Sequence, residues 1–282
     1  RWAMGQSTHP NFTWIGTLDT AWNTRENWSG GIPGANDDVN ILHADSTDFD
    51  PTLPATATIN SLSIARGGIL NGGSGTTLNL NATNTTSAWM NDSASFNPGT
   101  STVKFNGSSA TIGGTTQFYN VTISASDTLL AVPDAVMKIA GALTLTGKLD
   151  LISFDNQIEF NGSVAQTIPG IIAPFGYHDI KFSGIGTKTI SSNAIVQGNW
   201  INESSLVATA GTVTFNGGAA QVIRGTNSTT FNNVILNNPN GLALNTDITI
   251  NGILTMSNGT LDITSKNLTT ANAISISSPS AS

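Results

Sequence analysis

A five-residue pattern returns twice at a fixed interval, and it limits what this chain can fold into more than any other feature. Val103-Lys104-Phe105-Asn106-Gly107, Ile158-Glu159-Phe160-Asn161-Gly162 and Val213-Thr214-Phe215-Asn216-Gly217 follow one another at equal spacing. Each is followed by an alanine opening a short run to isoleucine (Ala110 to Ile112, Ala165 to Ile168, Ala220 to Ile223), then by a glycine: Gly113, Gly170 or Gly225. Further on, an aromatic residue precedes apolar ones at +3 and +5: Phe118/Val121/Ile123, Tyr177/Ile180/Phe182, Phe231/Val234/Leu236. Ile59/Leu62/Ile64 has the same spacing earlier. Self-similarity at a period of about 55 residues marks an array in which each unit buries its apolar face only against the next.

The units read as strands. Leu143-Thr144-Leu145, Leu149-Asp150-Leu151, Ile253 to Met256 and Leu261-Asp262-Ile263 alternate apolar and polar over a few residues, between Gly, Asn and Asp. That is the period of a half-buried strand, and no comparable stretch holds a helical period. Thr, Val and Ile suit the pleat because their branched side chains are stiff there. Gly and Asn are expected at the corners, supplying left-handed backbone. The fold class is therefore all-β: a right-handed parallel β-helix, or β-solenoid, the hand following the usual sense of parallel crossovers. Stacking should place equivalent residues of successive coils above one another as ladders. Each unit has room for either two coils of roughly 27 or three of about 18. An array of small β-sandwiches is the less favoured architecture, since such units are too small to stand alone. The solenoid is assigned to residues 43–282, with units near 103–157, 158–212 and 213–270 and a partial unit near 59–102.

Residues 1–42 differ from the repeat and are assigned to an N-terminal cap. Four of the six tryptophans lie there: Trp2, Trp14, Trp22 and Trp28. Two readings stand, a platform on which sugars stack, or a plug over the open solenoid end; solenoids normally need a plug. The run from Trp22 to Ile41 (WNTRENWSGGIPGANDDVNI), followed by repeats of the form FNG, AQ, I, G and F.NV.I, resembles large extracellular β-helix proteins of the Bacteroidota. The opening also resembles the start of the Gly-rich G8 domain. The Bacteroidota resemblance implies a secreted surface protein of the adhesin type, exported by the type IX secretion machinery. That group's C-terminal sorting domain is not recognisable at Ser278-Pro279-Ser280-Ala281-Ser282, so a segment of a longer protein is expected.

Charge narrows the partners. Only 10% of residues are charged, with a net −7, and no cationic cluster is present to meet phosphates, so nucleic acid is not expected. Nor is membrane insertion, because no apolar run approaches ~20 residues. There is no cysteine, which removes disulfide and thiolate chemistry. His9, His43 and His178 are far apart in sequence and give no metal or triad spacing. Gly141 to Lys148 lacks the spacing of a phosphate loop, with Leu149 where Ser or Thr should follow. Asp150, Asp155, Glu159 and Asp179, with Lys148 and Lys181 nearby, are the candidates for acid–base work on a polysaccharide; the plainer reading is solvated outward positions. Asp37, Asp38, Asp45, Asp48 and Asp50 are oxygen donors for Ca²⁺ or simply a turn-rich loop. Asn81-Ala82-Thr83 and Asn267-Leu268-Thr269 fit N-glycosylation by composition alone, whereas Asp92-Ser93-Ala94 and Asp127-Thr128-Leu129 fit the O-glycosylation pattern of the resembled group.

No catalytic, cofactor-binding or metal-binding residue is assigned, and no enzyme activity is expected. The expected function is a structural or adhesive module at the cell surface, contacting extracellular glycans or proteins. A carbohydrate-active enzyme or carbohydrate-binding module is the alternative, resting on analogy of fold. Ice binding through flat Thr-x-Thr ladders meets a difficulty: the pairs Thr144/Thr146 and Thr269/Thr270 are neither regular nor repeated at one coil position.

Overall fold

The computed structural model describes residues 9–83, 87–124, 128–264 and 266–276. These residues form a parallel β-solenoid of about 11 turns, with only two short 3-10 turns, Arg25–Asn27 and Ala44–Ser46. No helix among them is long and apolar enough to cross a membrane. The chain divides into two compact units, Arg1–Asp150 and Leu151–Ser282.

In the first unit, Asn11–Trp14, Asp38–Ile41, Ser61–Ile64, Ser87–Asn91, Ala110–Phe118, Thr128–Ala131 and Lys148–Asp150 pair in that order. A second sheet runs Thr56–Ile59, Thr77–Leu80, Thr102–Phe105, Asn120–Ile123, Leu143–Leu145. A third side is more broken: Ile69–Asn71 pairs with Ser95–Asn97, and the far half of Ala110–Phe118 with Val136–Ile139. Stacking thus starts inside the segment assigned to the cap, since both Asn11–Trp14 and Asp38–Ile41 belong to the first sheet.

The second unit is regular, with three sheets. The first comprises Gln157–Phe160, Asp179–Phe182, Trp200–Asn202, Gln221–Arg224, Leu242–Leu244 and Leu261–Asp262. The second comprises Gln166–Ile168, Lys188–Ile190, Leu206–Ala208, Thr229–Phe231, Ile248–Ile250 and Leu268–Thr270. The third comprises Ala194–Val196, Thr212–Phe215, Asn233–Asn237, Leu254–Asn258 and Ile274–Ile276. Alternation along each strand sends one set of side chains inward. Phe160 stacks on Phe182 at 6.3 Å and 15°, Phe182 meets Trp200 at 4.9 Å, and Trp200 meets Phe231 at 4.9 Å. An aromatic column of this kind removes large apolar areas from water and adds ring–ring attraction.

The ladder expectation needs correcting. On the first sheet of the second unit, Ile158 pairs with Ile180, Ile180 with Trp200 and Trp200 with Ile223, so the step along the chain changes at every turn. Across the second sheet the steps run from 18 to 23. In the first unit they begin at 27 and 23 and end at 19 and 20. A turn is therefore not a constant 27 or 18, and the sequence repeat is not a whole number of turns. Ile158 lies on the first sheet and Val213 on the third, two and two-thirds turns later. Repeat-equivalent residues do not sit above one another; corner loops of varying length bring different residues into register.

Asn also acts differently from expectation. Among the described residues the left-handed backbone positions are glycines plus Ser93, Ser109 and Asp134, with no asparagine. Asn instead reaches across turns: Asn120 Oδ1 accepts from the Ala142 amide at 2.8 Å, Asn199 Oδ1 from Val222 at 3.0 Å, Asn193 Oδ1 from Thr212 at 2.9 Å and Asn233 Oδ1 from Ile253 at 2.8 Å. A short amide side chain can replace a ladder bond where a strand is just beginning. The repeated Phe-Asn-Gly-x-x-x-Gln has a similar explanation. The Gly162 amide donates to Gln166 Oε1 at 2.7 Å and the Gly217 amide to Gln221 Oε1 at 2.9 Å, so an inward glutamine closes each corner. Glycine is required there by proximity: a Cβ on Gly217 would stand 2.2 Å from the Gln197 carbonyl oxygen.

Candidate functional site

The acid–base candidates separate. Asp150 ends the strand Lys148–Asp150 of the first unit, half-buried and already engaged, while Lys148 is exposed. Asp155, Glu159, Asp179 and Lys181 lie in the second unit, along the outward side of its first sheet. There the register sets Glu159 beside Lys181 and Gln157 beside Asp179. Lys181 Nζ is 3.0 Å from Glu203 Oε2 and 3.5 Å from Glu159 Oε1, which also accepts from Ser183 Oγ at 2.7 Å. Donation to Glu203, reinforced by the charge of Glu159 and opposed by desolvation, holds the Lys181 amine above the ordinary lysine range. His178 bridges two acids, with Nε2 3.1 Å from Asp155 Oδ1 and Nδ1 3.6 Å from Asp179 Oδ1.

Asp179 does what Asn120 and Asn199 do elsewhere: its Oδ1 accepts from the Asn199 amide of the next turn at 2.6 Å. Asp247 does the same with the Asn267 amide at 2.9 Å, and this donation pulls its carboxyl below the usual range. The row of charges is thus a chain of ion pairs and cross-turn bonds along the stack. Glu159 is only 8% exposed. A general acid and a partner carboxylate must both face a substrate, and here the acids face Lys181, Ser183, His178 and Asn199.

The N-terminal tryptophans form a cluster. Trp28 packs edge-on against Trp14 at 4.9 Å and against Trp22 at 4.7 Å. Trp14, Trp22 and Trp28 are 0, 2 and 4% exposed, and the indole nitrogens of Trp14 and Trp28 donate to the carbonyls of Phe49 and Trp22. A sugar platform on these three rings is ruled out by burial, and the cluster matches the expected plug; Trp2 lies outside the described residues. Asn27 organises the loop between them, donating to Asp19 and Ala21 and accepting from the Leu18 amide. Backbone donation by Ala21 lowers the Asp19 pKa.

The five aspartates of residues 37–50 do not converge. Asp38 is buried against Asn60 (2.6 Å) and Ser61 (2.5 Å), Asp37 accepts from the Gly34 amide, Asp45 stands by His43, Asp48 is exposed, and burial raises the Asp50 pKa. Among the described residues no three His, Asp or Glu side chains gather as metal ligands. Bends and the short 3-10 turn Ala44–Ser46 occupy this stretch instead. Ser93 is exposed and left-handed, and Asp127 lies outside the described residues.

The second sheet of the second unit holds a threonine pattern that the sequence pairs do not show. Thr167, Thr189, Val207, Thr230, Thr249 and Thr269 are register partners in succession, all on the outward side. Threonine does repeat at one position of the turn, in five of six strands. The sequence hides this because the steps between those residues vary from 18 to 23. Of the threonine pairs in the sequence only Thr269 belongs to this column: Thr146 bonds to the Ile123 carbonyl, and Thr270 alternates away from the outward side.

A further motif was missed. Trp89 Nε1 and Asn91 Nδ2 both donate to Thr116 Oγ1, and Trp200 Nε1 and Asn202 Nδ2 both donate to Thr229 Oγ1, in buried sites backed by Phe118 and Phe231. The signal was a second repeat, Trp-x-Asn followed by Thr-x-Phe, at about twice the unit length. Neither a protein-family model, nor a curated protein, nor a solved structure matches the chain.

Proposed function

We propose that this chain is a structural and adhesive module of a secreted cell-surface protein, working through the outer faces of its sheets rather than through a catalytic cleft. One observation carries the reading. Charged side chains of the second unit are tied into a row along the first sheet, while the neighbouring sheet presents an outward, almost uncharged surface on which five of six strands place a threonine. A surface repeated at every turn suits contact with something extended, because many weak contacts then act together. Export by type IX machinery and extracellular glycan or protein partners belong to the same proposal, supported by the resemblance of the Trp22–Ile41 run and of the repeats that follow it.

The alternative, a carbohydrate-active enzyme, would draw on Asp155, His178, Asp179 and Glu159, grouped on the first sheet of the second unit. Incubation with a panel of neutral and acidic polysaccharides, followed by reducing-end and mass-spectrometric analysis, decides between them. No turnover is expected. Cleavage that disappears in Asp179→Asn or Glu159→Gln would replace the adhesive reading with the enzymatic one.

A further inference from the structure

The threonine column allows the adhesive reading, on which this inference rests, to be taken to a named surface. Parallel strands repeat about every 4.8 Å, so the column Thr167, Thr189, Val207, Thr230, Thr249 and Thr269 sets five hydroxyls on a line, one strand apart except across Val207, where the step doubles. Threonine is stiff at χ1, so its hydroxyl and methyl follow the backbone repeat. The buried Thr229 and Thr246, by contrast, spend their hydroxyls internally, Thr229 on Trp200 and Asn202 and Thr246 on the Asn227 carbonyl. Among the described residues the five column hydroxyls bond to no protein group, so water must satisfy them. Waters held by hydroxyls at one interval form a row with that interval, and the methyls between confine it.

The flanks extend the array. Outward positions two residues to either side lie roughly 6.6 Å away, and the ladder bonds continue through them, from Lys188 N to Ser205 O and from Thr209 N to Ile190 O. They are mainly Ser, Thr and Asn. The one charge, Asp247, is bound to Asn267.

Charge and chemistry select the occupant. An ionic mineral or a charged polymer needs opposing charges, and this outward face keeps one carboxylate while Glu159, Lys181 and Arg224 stand on the adjacent sheet. A crystalline polysaccharide is gripped by exposed aromatic rings, and the outward positions of this sheet carry none. What remains is a neutral lattice whose every site both donates and accepts, as each threonine hydroxyl does. We propose that the threonine face of the second unit adsorbs to ice, its row of bound water becoming part of the lattice.

The test is ice affinity of the whole chain, read as thermal hysteresis and as uptake into an ice hemisphere grown slowly from dilute protein. The wild type is expected to depress freezing below melting and to enter the ice. Thr230→Lys and Thr249→Lys, which push a long cation out of the column, should abolish both effects. Thr214→Lys and Thr255→Lys, outward on the third sheet, should retain them, with unchanged circular dichroism melts in all four. Exclusion of the wild type from ice overturns the proposal, as does equal loss from both pairs of variants, or co-sedimentation with crystalline chitin or cellulose in place of ice uptake. Exclusion without polysaccharide cleavage overturns ice binding alone; cleavage overturns the adhesive reading beneath it.

Discussion

Gln221 holds its corner through four bonds: it accepts from the Gly217 amide and from Asn238 Nδ2, and donates to the carbonyls of Val196 at 3.0 Å and Gly198 at 2.6 Å. It is 1% exposed, so no bulk water can substitute. Gln221→Leu keeps the volume and strands these groups, each at about 1–3 kcal/mol. A loss of at least ~2 kcal/mol is expected in the urea midpoint, whereas Gln197→Leu, half-exposed, should change it little. Lys188 is the counterpart in cation form. It is wholly enclosed, with no carboxylate beside it among the described residues, its Nζ donating to the carbonyls of Gly162 and Gly186, and burial lowers its pKa. At this scale the sequence showed the motif but not its use: Phe-Asn-Gly with a following Ala-Gln was plain, while the inward turn of the glutamine needs the corner's coordinates.

Between elements, the Glu159–Lys181–Glu203 row joins successive turns of the first sheet by charge. Lys181 has its folded pKa raised, chiefly by donation to Glu203. A cation raised in this way contributes stability that is fully present below the unfolded lysine value of about 10.4 and is lost as pH climbs through the folded one. Subtracting the pH–stability curve of Lys181→Met from that of the wild type should therefore give a difference that is flat near neutrality and shrinks above about pH 10. A difference that grows there would contradict the assignment. Strands themselves were legible. Leu143-Thr144-Leu145 alternates in sequence and forms the strand Leu143–Leu145, and Ile253 to Met256 largely coincides with Leu254–Asn258. Register was not legible, because the partner of Thr230 is set by how many residues the corners consume, and corner length carries no periodic signal.

At the scale of a whole unit, stability in a stack is a sum over neighbouring turns, and a terminal turn has one neighbour. In the second unit Val213 and Phe215 are 2 and 0% exposed, while Ile274 and Ile276 of the last described turn are 46 and 75% exposed. Amides of Leu268–Thr270 and Ile274–Ile276 should exchange with deuterium much faster than those of Thr212–Phe215, with protection rising turn by turn between them. Uniform protection would mean that the last turn is covered in solution. The solenoid class was readable because inward apolar positions recur everywhere; the surface pattern was not, because outward positions obey only the local turn count.

The mismatch between unit and turn bears on ancestry. One repeat length advances the chain by two and two-thirds turns, as the passage from Ile158 on one sheet to Val213 on another shows. Copying such a block in tandem would preserve the buried corners, which serve equally on any side, yet would rotate every exterior residue of the new copy to the next side. Only after three copies does a pattern return above its starting place. A line of threonines down one side therefore cannot be inherited whole by duplication; it must be written residue by residue after the copies exist.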